Sequence, residues 1–326
     1  MQPNFPPRVA LGFFPTPLEK LERLTPELGG PEIFFKRDDQ TGLATGGNKT
    51  RKLEFILAEA RAQGCDHLVT VGGPQSNHCR QTAAAAARFG MGCSVVLRGD
   101  APPRALGNLL LDDLLGAQIY WSGSRTRESV ADELITTLRA GGQRPYLVPL
   151  GGSTPLGACG YVIAMQEALQ QLKEQSLDID VMVLASSSAG TQAGLVLGAA
   201  LYGYSGRVLG ISIDAKSDEI TATVRDIALG ASELLRVPGL PTPLQIEVNA
   251  DYLGGGYSIV GDLERDAIRT VARTEGVLLD PVYTGRAFGG LMDLIRRGVI
   301  SKNQRVLFWH TGGAAALSAF AGDIHG

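Results

Sequence analysis

The sequence predicts an α/β protein of two open, twisted parallel sheets with helices on both faces, and three observations point there. Apolar runs of strand length alternate with helix-length stretches along nearly the whole chain, which is how βα units read. The 42 glycines fall mostly where strands end, not in low-complexity runs. A hydrophobic fraction of 44% over 326 residues is enough for one large core or two linked ones.

Taken in order, Glu32–Lys36 reads as a strand, then a glycine loop leads into a helix Lys49–Gln63. His67–Val71 is a strand and Asn77–Phe89 an alanine-rich helix. Strand Cys93–Leu97 precedes a helix around Ala105–Leu115. Gln118–Trp121, Arg127–Ala140 and Tyr146–Val148 continue the alternation. A long helix, Leu156–Gln175, is followed by strand Val181–Ala185 and helix Thr191–Tyr202. Strand Arg207–Ile213, helix Asp218–Leu229 and a short strand Gln245–Asn249 come next. The chain closes with helices Asp262–Glu275 and Gly285–Arg297, strand Arg305–His310 and helix Ala314–Phe320. Nothing of linker composition divides it and no internal repeat is present. A second domain is therefore made of contiguous βα units: residues 50–150 as the smaller, with 1–49 plus 151–326 as the larger.

Composition removes several classes of function. Net charge is −3, and no basic block carries interleaved aromatics, so nucleic acid is not an expected partner. No apolar run approaches the roughly 20 residues of a membrane helix. The polar, proline-rich start Met1–Val9 does not read as a secretory signal, and the expected compartment is the cytosol. Cys65, Cys79, Cys93 and Cys159 form no C-x-x-C pair and the four histidines are scattered, so neither a metal site nor a disulfide framework is expected. Cys79 alone lies beside a candidate site.

The chemistry begins at Gly46-Gly47-Asn48-Lys49-Thr50-Arg51-Lys52. Glycines let the backbone approach a ligand closely. Lys49 sits at a helix start, where unpaired amides and the macrodipole favour an anion and lower a neighbouring ammonium pKa. A phosphate-loop motif needs Gly-Lys-Ser/Thr, and Asn48 intervenes here, which turns Lys49 to another side of the helix. The lysine can serve as a phosphate clamp or as a neutral amine nucleophile.

Ligands of open α/β sheets bind outside the carboxyl ends of strands, and three such ends are polar. Ser186-Ser187-Ser188-Ala189-Gly190-Thr191 is a run of small and hydroxylated residues entering a helix, a phosphate cup with no lysine of its own. Gln75-Ser76-Asn77-His78 opens a helix whose amides can take a carboxylate, with Asn77 able to bond a phenolic oxygen; a plain helix cap is an equal reading. His310-Thr311-Gly312-Gly313 offers one hydroxyl to the crevice. Tyr257 and Tyr283 lie in glycine and proline breaks and become proton carriers if they face the site. An amine nucleophile, a phosphate cup and neutral donors together are what pyridoxal 5′-phosphate requires.

With these residues in place, the sequence resembles the D-cysteine desulfhydrase and 1-aminocyclopropane-1-carboxylate deaminase family. The likeness runs from Phe14-Pro15-Thr16-Pro17-Leu18 through Lys36-Arg37-Asp38-Asp39, Gly46–Phe55, Gln75–Gln81, Ala189–Gly194 and Asp280–Gly285 to His310–Ala314. It implies the tryptophan-synthase-β type of fold (fold type II of pyridoxal-phosphate enzymes) and a homodimer. It also implies that Lys49 forms the Schiff base and that Lys52 reaches the phosphate, which Ser188, Ala189, Gly190 and Thr191 cradle. By the same resemblance Asn77 bonds the ring's phenolic oxygen, while Thr311, or Thr284, faces the ring nitrogen. Gln75, Ser76, Asn77 and His78 would take the substrate carboxylate, Ser76 doubling as a proton carrier, with Tyr257 and Tyr283 facing the substrate.

Within the family, the deaminases have Tyr-Glu where this chain has Tyr283-Thr284, leucine in place of Thr311, and glutamine in place of His78; all three positions are similar to the desulfhydrases. The segment Leu97–Leu106 is shorter than in the relatives. The resulting expectation is α,β-elimination from a small thiol-bearing amino acid, D-cysteine foremost, to pyruvate, hydrogen sulfide and ammonia. Cyclopropane deamination, elimination from L-cysteate, D-serine or β-chloroalanine, and a non-catalytic cofactor carrier stay open as alternatives.

Overall fold

The computed structural model describes residues 3–237 and 244–325. Its first elements are β1 (Leu18–Lys20), α1 (Leu24–Leu28), β2 (Glu32–Lys36) and α2 (Lys49–Ala62). A βα alternation follows: β3 (His67–Gly72), α3 (Asn77–Arg88), β4 (Gly92–Leu97), α4 (Gly107–Leu114), β5 (Gln118–Trp121), α5 (Arg127–Ala140) and β6 (Pro145–Val148). The chain then continues through α6 (Pro155–Glu174), β7 (Val181–Ser186), α7 (Gly190–Tyr202), β8 (Arg207–Ser212), α8 (Ser217–Leu234) and β9 (Glu247–Asn249). It ends with α9 (Asp262–Glu275), α10 (Thr284–Arg296), β10 (Arg305–Trp309) and α11 (Ala321–His325).

Two sheets result. The smaller, in order β5-β4-β3-β6, is parallel throughout. The larger runs β1-β2-β10-β7-β8-β9, and among the described residues only the edge strand β1 is antiparallel. Every residue of β3 is buried, as expected where helices cover both faces. The last strand, β10, slots between β2 and β7, setting Phe308 beside Phe35 and Val183. That insertion brings Thr311 next to the loop before α2. Helix α2 lies between the two layers: Leu53, Ile56, Leu57 and Ala60 pack with the smaller sheet's core, while Phe55 joins Tyr161 and Trp309 on the other side.

Three differences from the sequence reading have local causes. β1 and α1, of three and five residues, are too short to show a period. Helix α8 runs on to Leu234 through Gly230, because a Cβ there would stand 2.7 Å from Pro155 Cγ: the glycine admits a neighbour and ends nothing. Ala314–Phe320 is a 3₁₀ and not an α-helix, started by an Ala316 N–H bond to Gly313 O at 2.9 Å.

Candidate active site

The carboxyl ends of both sheets face one cavity of about 350 Å³, a size suited to a small molecule. Its lining joins the turns after β3, β4, β6, β7, β8 and β10 to the start of α2.

Lys49 opens α2 and is half-buried in that wall. Among the described residues its amine has no hydrogen-bond or ion-pair partner, and burial pulls its pKa down to about 8. Neighbours hold its backbone on both sides. The Asn48 N–H donates to Thr311 O at 3.0 Å and its Nδ2 to Thr191 Oγ1 at 3.0 Å, while Thr50 N–H donates to Gln81 Oε1 at 2.9 Å. Only glycine fits at 47, where φ is 128° and a Cβ would come within 2.5 Å of Gln81 Nε2.

On the larger sheet's side, β7 ends in Ser186, Ser187, Ser188 and Ala189, and Ala189 turns left-handed to start α7. Among the described residues Ser186 Oγ is buried without a hydrogen-bond partner. Lys52 reaches the same place from one turn further along α2, donating to Gly151 O at 3.2 Å and Ser153 Oγ at 3.0 Å. It is fully buried, burial and the neighbouring Lys49 push its pKa well down, and no carboxylate lies within ion-pair distance among the described residues. A buried lysine with only neutral partners, beside a helix N-terminus, is the arrangement an anion site needs.

The smaller sheet supplies the opposite wall. Ser76 caps α3, its Oγ accepting from Cys79 N–H at 3.2 Å. Asn77 Oδ1 accepts from Asn108 Nδ2 at 2.9 Å, which leaves the Asn77 NH₂ as the donating end toward the cavity. Thr70 gives its hydroxyl proton to Val148 O, so His78 Nε2 is the donor to Thr70 Oγ1 at 2.8 Å, leaving Nδ1 bare. Burial, with Lys49 and Lys52 nearby, pushes the His78 pKa well down and keeps the ring neutral.

Across from them Tyr257 and Tyr283 share a hydrogen bond of 2.7 Å between their phenolic oxygens. Burial raises both pKa values, Tyr283 well above the usual range, so both stay protonated. Thr311 also lines the cavity.

The structure gathers Lys49, Ser76, Asn77, His78, Ser188, Ala189, Thr191, Tyr257, Tyr283 and Thr311 at one cavity, and it corrects three expectations. Gln75 turns away to cap α4, donating to Leu106 O and accepting from Asn108 N–H, each at 2.9 Å. Thr284 is drawn into the turn before α10: its hydroxyl donates to Asp280 Oδ1 at 2.7 Å and accepts from Asp280 N–H at 2.8 Å. Asp280 must satisfy the first amides of that helix, and Thr284 completes the cap. The Gly190 amide is taken by Ser188 O at 2.8 Å; what this residue contributes is the missing Cβ, which would lie 2.7 Å from Ser153 Oγ.

Asn48, Arg98, Arg127 and Asp214 line the cavity too, and the sequence reading passed over them. Arg98 and Asp214 directly follow β4 and β8, and Arg127 follows β5 after a short turn, so the strand-end rule applied to every strand finds all three. Among the described residues no group of three or more His, Cys, Asp or Glu is placed to hold a metal ion.

An amine of lowered pKa, a buried lysine with neutral partners beside a helix start, and a wall of neutral donors lie together where the parallel strands of an α/β fold end. In comparison with known proteins, a family described as "Pyridoxal-phosphate dependent enzyme" matches residues 9–312. A Klebsiella pneumoniae subsp. pneumoniae D-cysteine desulfhydrase is 42% identical over 321 residues, covering 96% of each chain. A Pyrococcus abyssi protein, provisionally named 1-aminocyclopropane-1-carboxylate deaminase, is 40% identical over 325 residues, covering 98% of this chain and 95% of its own. A crystal structure of an ACC deaminase homologue superposes with a TM-score of 0.89 at 35% identity, covering 98% of this chain and 95% of that one. The chain belongs to the pyridoxal-phosphate dependent enzyme family, in the branch that holds these desulfhydrases and deaminases. It is a pyridoxal-phosphate-dependent lyase of fold type II. Its residues fit that cofactor, since among the described residues the buried Lys52 and the Ser186 hydroxyl without a hydrogen-bond partner suit an anion, and the Lys49 amine is without a partner.

Proposed function

We propose that the chain eliminates the thiol of a small amino acid, D-cysteine first, to give pyruvate, hydrogen sulfide and ammonia with the uptake of one water. The observation that carries this reading is that one cavity is lined by Lys49, by Gly151, to whose carbonyl Lys52 donates, and by the Tyr257–Tyr283 pair. When bound, pyridoxal phosphate supplies an aldehyde for an amine and a ring that draws electrons from the substrate's α-carbon.

The protein does the rest. Lys52, Ser188 and the Ala189 and Thr191 amides would hold the phosphate, and Asn77 Nδ2 would orient the ring. The amides at the start of α3, from Ser76 to His78, take the substrate carboxylate. Lys49 Nζ holds the cofactor and, once released, takes the proton from Cα, with Ser76 Oγ as relay. Tyr283, backed by Tyr257, gives the departing sulfur a proton. Tyr283→Phe is expected to lower kcat about a hundredfold with KM nearly unchanged, because a general acid acts only in the transition state; a raised KM with kcat unchanged would assign Tyr283 to binding.

Sulfide and pyruvate measured with each cysteine enantiomer test the assignment. Equal amounts of both products from D-cysteine are expected, and no release from either enantiomer overturns it.

Arg98 and Arg127 favour a second reading. Both line the cavity; among the described residues Arg98 has no side-chain partner, and Arg127 has only Glu128 at 3.6 Å. Two guanidinium groups remain once a carboxylate and a phosphate are housed, which suits an acidic side chain such as that of cysteate. Under this reading cysteate releases sulfite, and Arg98→Ala raises its KM about tenfold, equivalent to roughly 1.4 kcal/mol, while that for D-cysteine stays put. No sulfite release assigns the arginines to general attraction of anions.

We further propose a cytosolic homodimer. The resemblance to the family supports it, as do four free cysteines and an exposed apolar stripe of Leu106, Leu110 and Leu114 along α4.

A further inference from the structure

Directly before Lys49 the backbone does something L-residues avoid. Six successive residues have positive φ: Gly42 (77°), Leu43 (46°), Ala44 (50°), Thr45 (70°), Gly46 (70°) and Gly47 (128°). Three of them carry a Cβ that crowds the following carbonyl in this left-handed turn, so the turn does not hold itself.

What holds it is Arg80, one turn along α3 from Ser76, Asn77 and His78. Its side chain is fully buried. Nη1 donates to Ala44 O and Thr45 Oγ1, and Nη2 donates to Gly46 O at 3.0 Å. Among the described residues it forms no ion pair; the buried Asp112 carboxylate acts on its charge from beyond ion-pair distance, and these loop oxygens are its hydrogen-bond partners. A planar guanidinium suits several acceptors that an ammonium cannot span at once. The next residue completes the tie: Gln81 Oε1 accepts from Thr50 N–H at 2.9 Å, and its Nε2 donates to Asn77 O at 3.2 Å.

We propose that Arg80 is a positioning residue: it keeps the left-handed turn at 42–47 wound and so fixes Lys49 in register with the Ser76–His78 wall. The two walls of the site come from different sheets, and this guanidinium, with Gln81 beside it, makes the distance between amine and substrate a property of one rigid helix. This rests on Lys49 being the cofactor lysine.

The test uses full-length Arg80→Ala and Arg80→Lys. Amide hydrogen exchange of residues 43–50 is followed without cofactor, and kcat and KM are measured in the loaded enzyme. In Arg80→Ala, exchange across 43–50 is expected to speed up about tenfold with the rest of the protein unchanged. Turnover is expected to drop about a hundredfold, the penalty for a reacting group displaced by about 1 Å, with KM little altered. Millimolar methylguanidinium should restore both, and Arg80→Lys should lie between; if the alanine variant does not fold, the lysine variant carries the comparison. Normal exchange at 43–50 in a folded variant overturns the proposal, whatever the role of Lys49. So does exchange raised evenly over the whole chain, which marks Arg80 as a plain core residue. A local exchange effect with unaltered turnover overturns the link to Lys49.

Discussion

Lys49→Ala is expected to lower turnover by about 10⁴-fold, since it removes the amine proposed to hold the cofactor and to take the proton from the substrate's Cα. The protein should still fold, because this side chain makes no hydrogen bond among the described residues and its loss relieves a partly buried charge. The check is single-turnover kinetics together with the absorbance of the cofactor-loaded protein. A variant that keeps its cofactor band and one-tenth of its rate removes Lys49 from the mechanism. The same amine sets a pH dependence. Its pKa of about 8 lies below the ordinary 10.5, so its reactive neutral form falls off only below about pH 8. Cofactor uptake by the empty protein should be constant above that pH and slow about tenfold per unit below it. Uptake that keeps rising to pH 10 means the lysine is not desolvated.

The largest expected loss of stability comes from Asp38→Ala. Asp38 is fully buried under α2 and accepts five hydrogen bonds. Thr16 Oγ1 (2.8 Å) and Arg51 Nη2 (2.9 Å) bond Oδ1; Arg51 Nε (2.8 Å), Tyr161 Oη (2.7 Å) and Trp309 Nε1 (2.8 Å) bond Oδ2. Removing it leaves the buried Arg51 guanidinium, among the described residues, with Glu167, which Lys36 also uses, as its one ion-pair partner, beside a bond to the Thr16 hydroxyl. Breaking a buried pair in this way costs about 3–5 kcal/mol, and a fall in Tm of at least about 5 °C is expected. The Arg51 guanidinium overcomes the burial penalty and holds the Asp38 pKa down to about 2, from an ordinary 3.8. Its stabilisation is therefore complete above about pH 4 and disappears as pH falls toward 2. Thermal melts of both proteins between pH 2 and 7 should converge at the acid end. A gap of under 1 °C at pH 7 would show the network to be dispensable.

That Lys49, the turn after β7 and the helix start at Ser76 lie at strand ends before helices was legible because each is a local pattern of small residues or a cap; the structure places all three at one cavity. Thr284 and Gln75 were misplaced because a polar side chain in such a turn can face the ligand or cap the chain. Spacing alone does not distinguish the two. Their partners, Asp280 within the same turn and Asn108 some thirty residues on, decide it.

By itself the sequence determined the βα alternation, the amine at the start of α2 and the anion cup, because helix periodicity, strand-end glycines and capping chemistry are properties of short stretches. Tertiary structure alone decided which strand ends share a cavity. It slid β10 between β2 and β7, joined Asn48 to Thr191, put Arg51 against Asp38 and set Arg80 into the left-handed turn. Those pairings depend on where packing brings distant segments, and a buried charge reveals its partner only when both are in place.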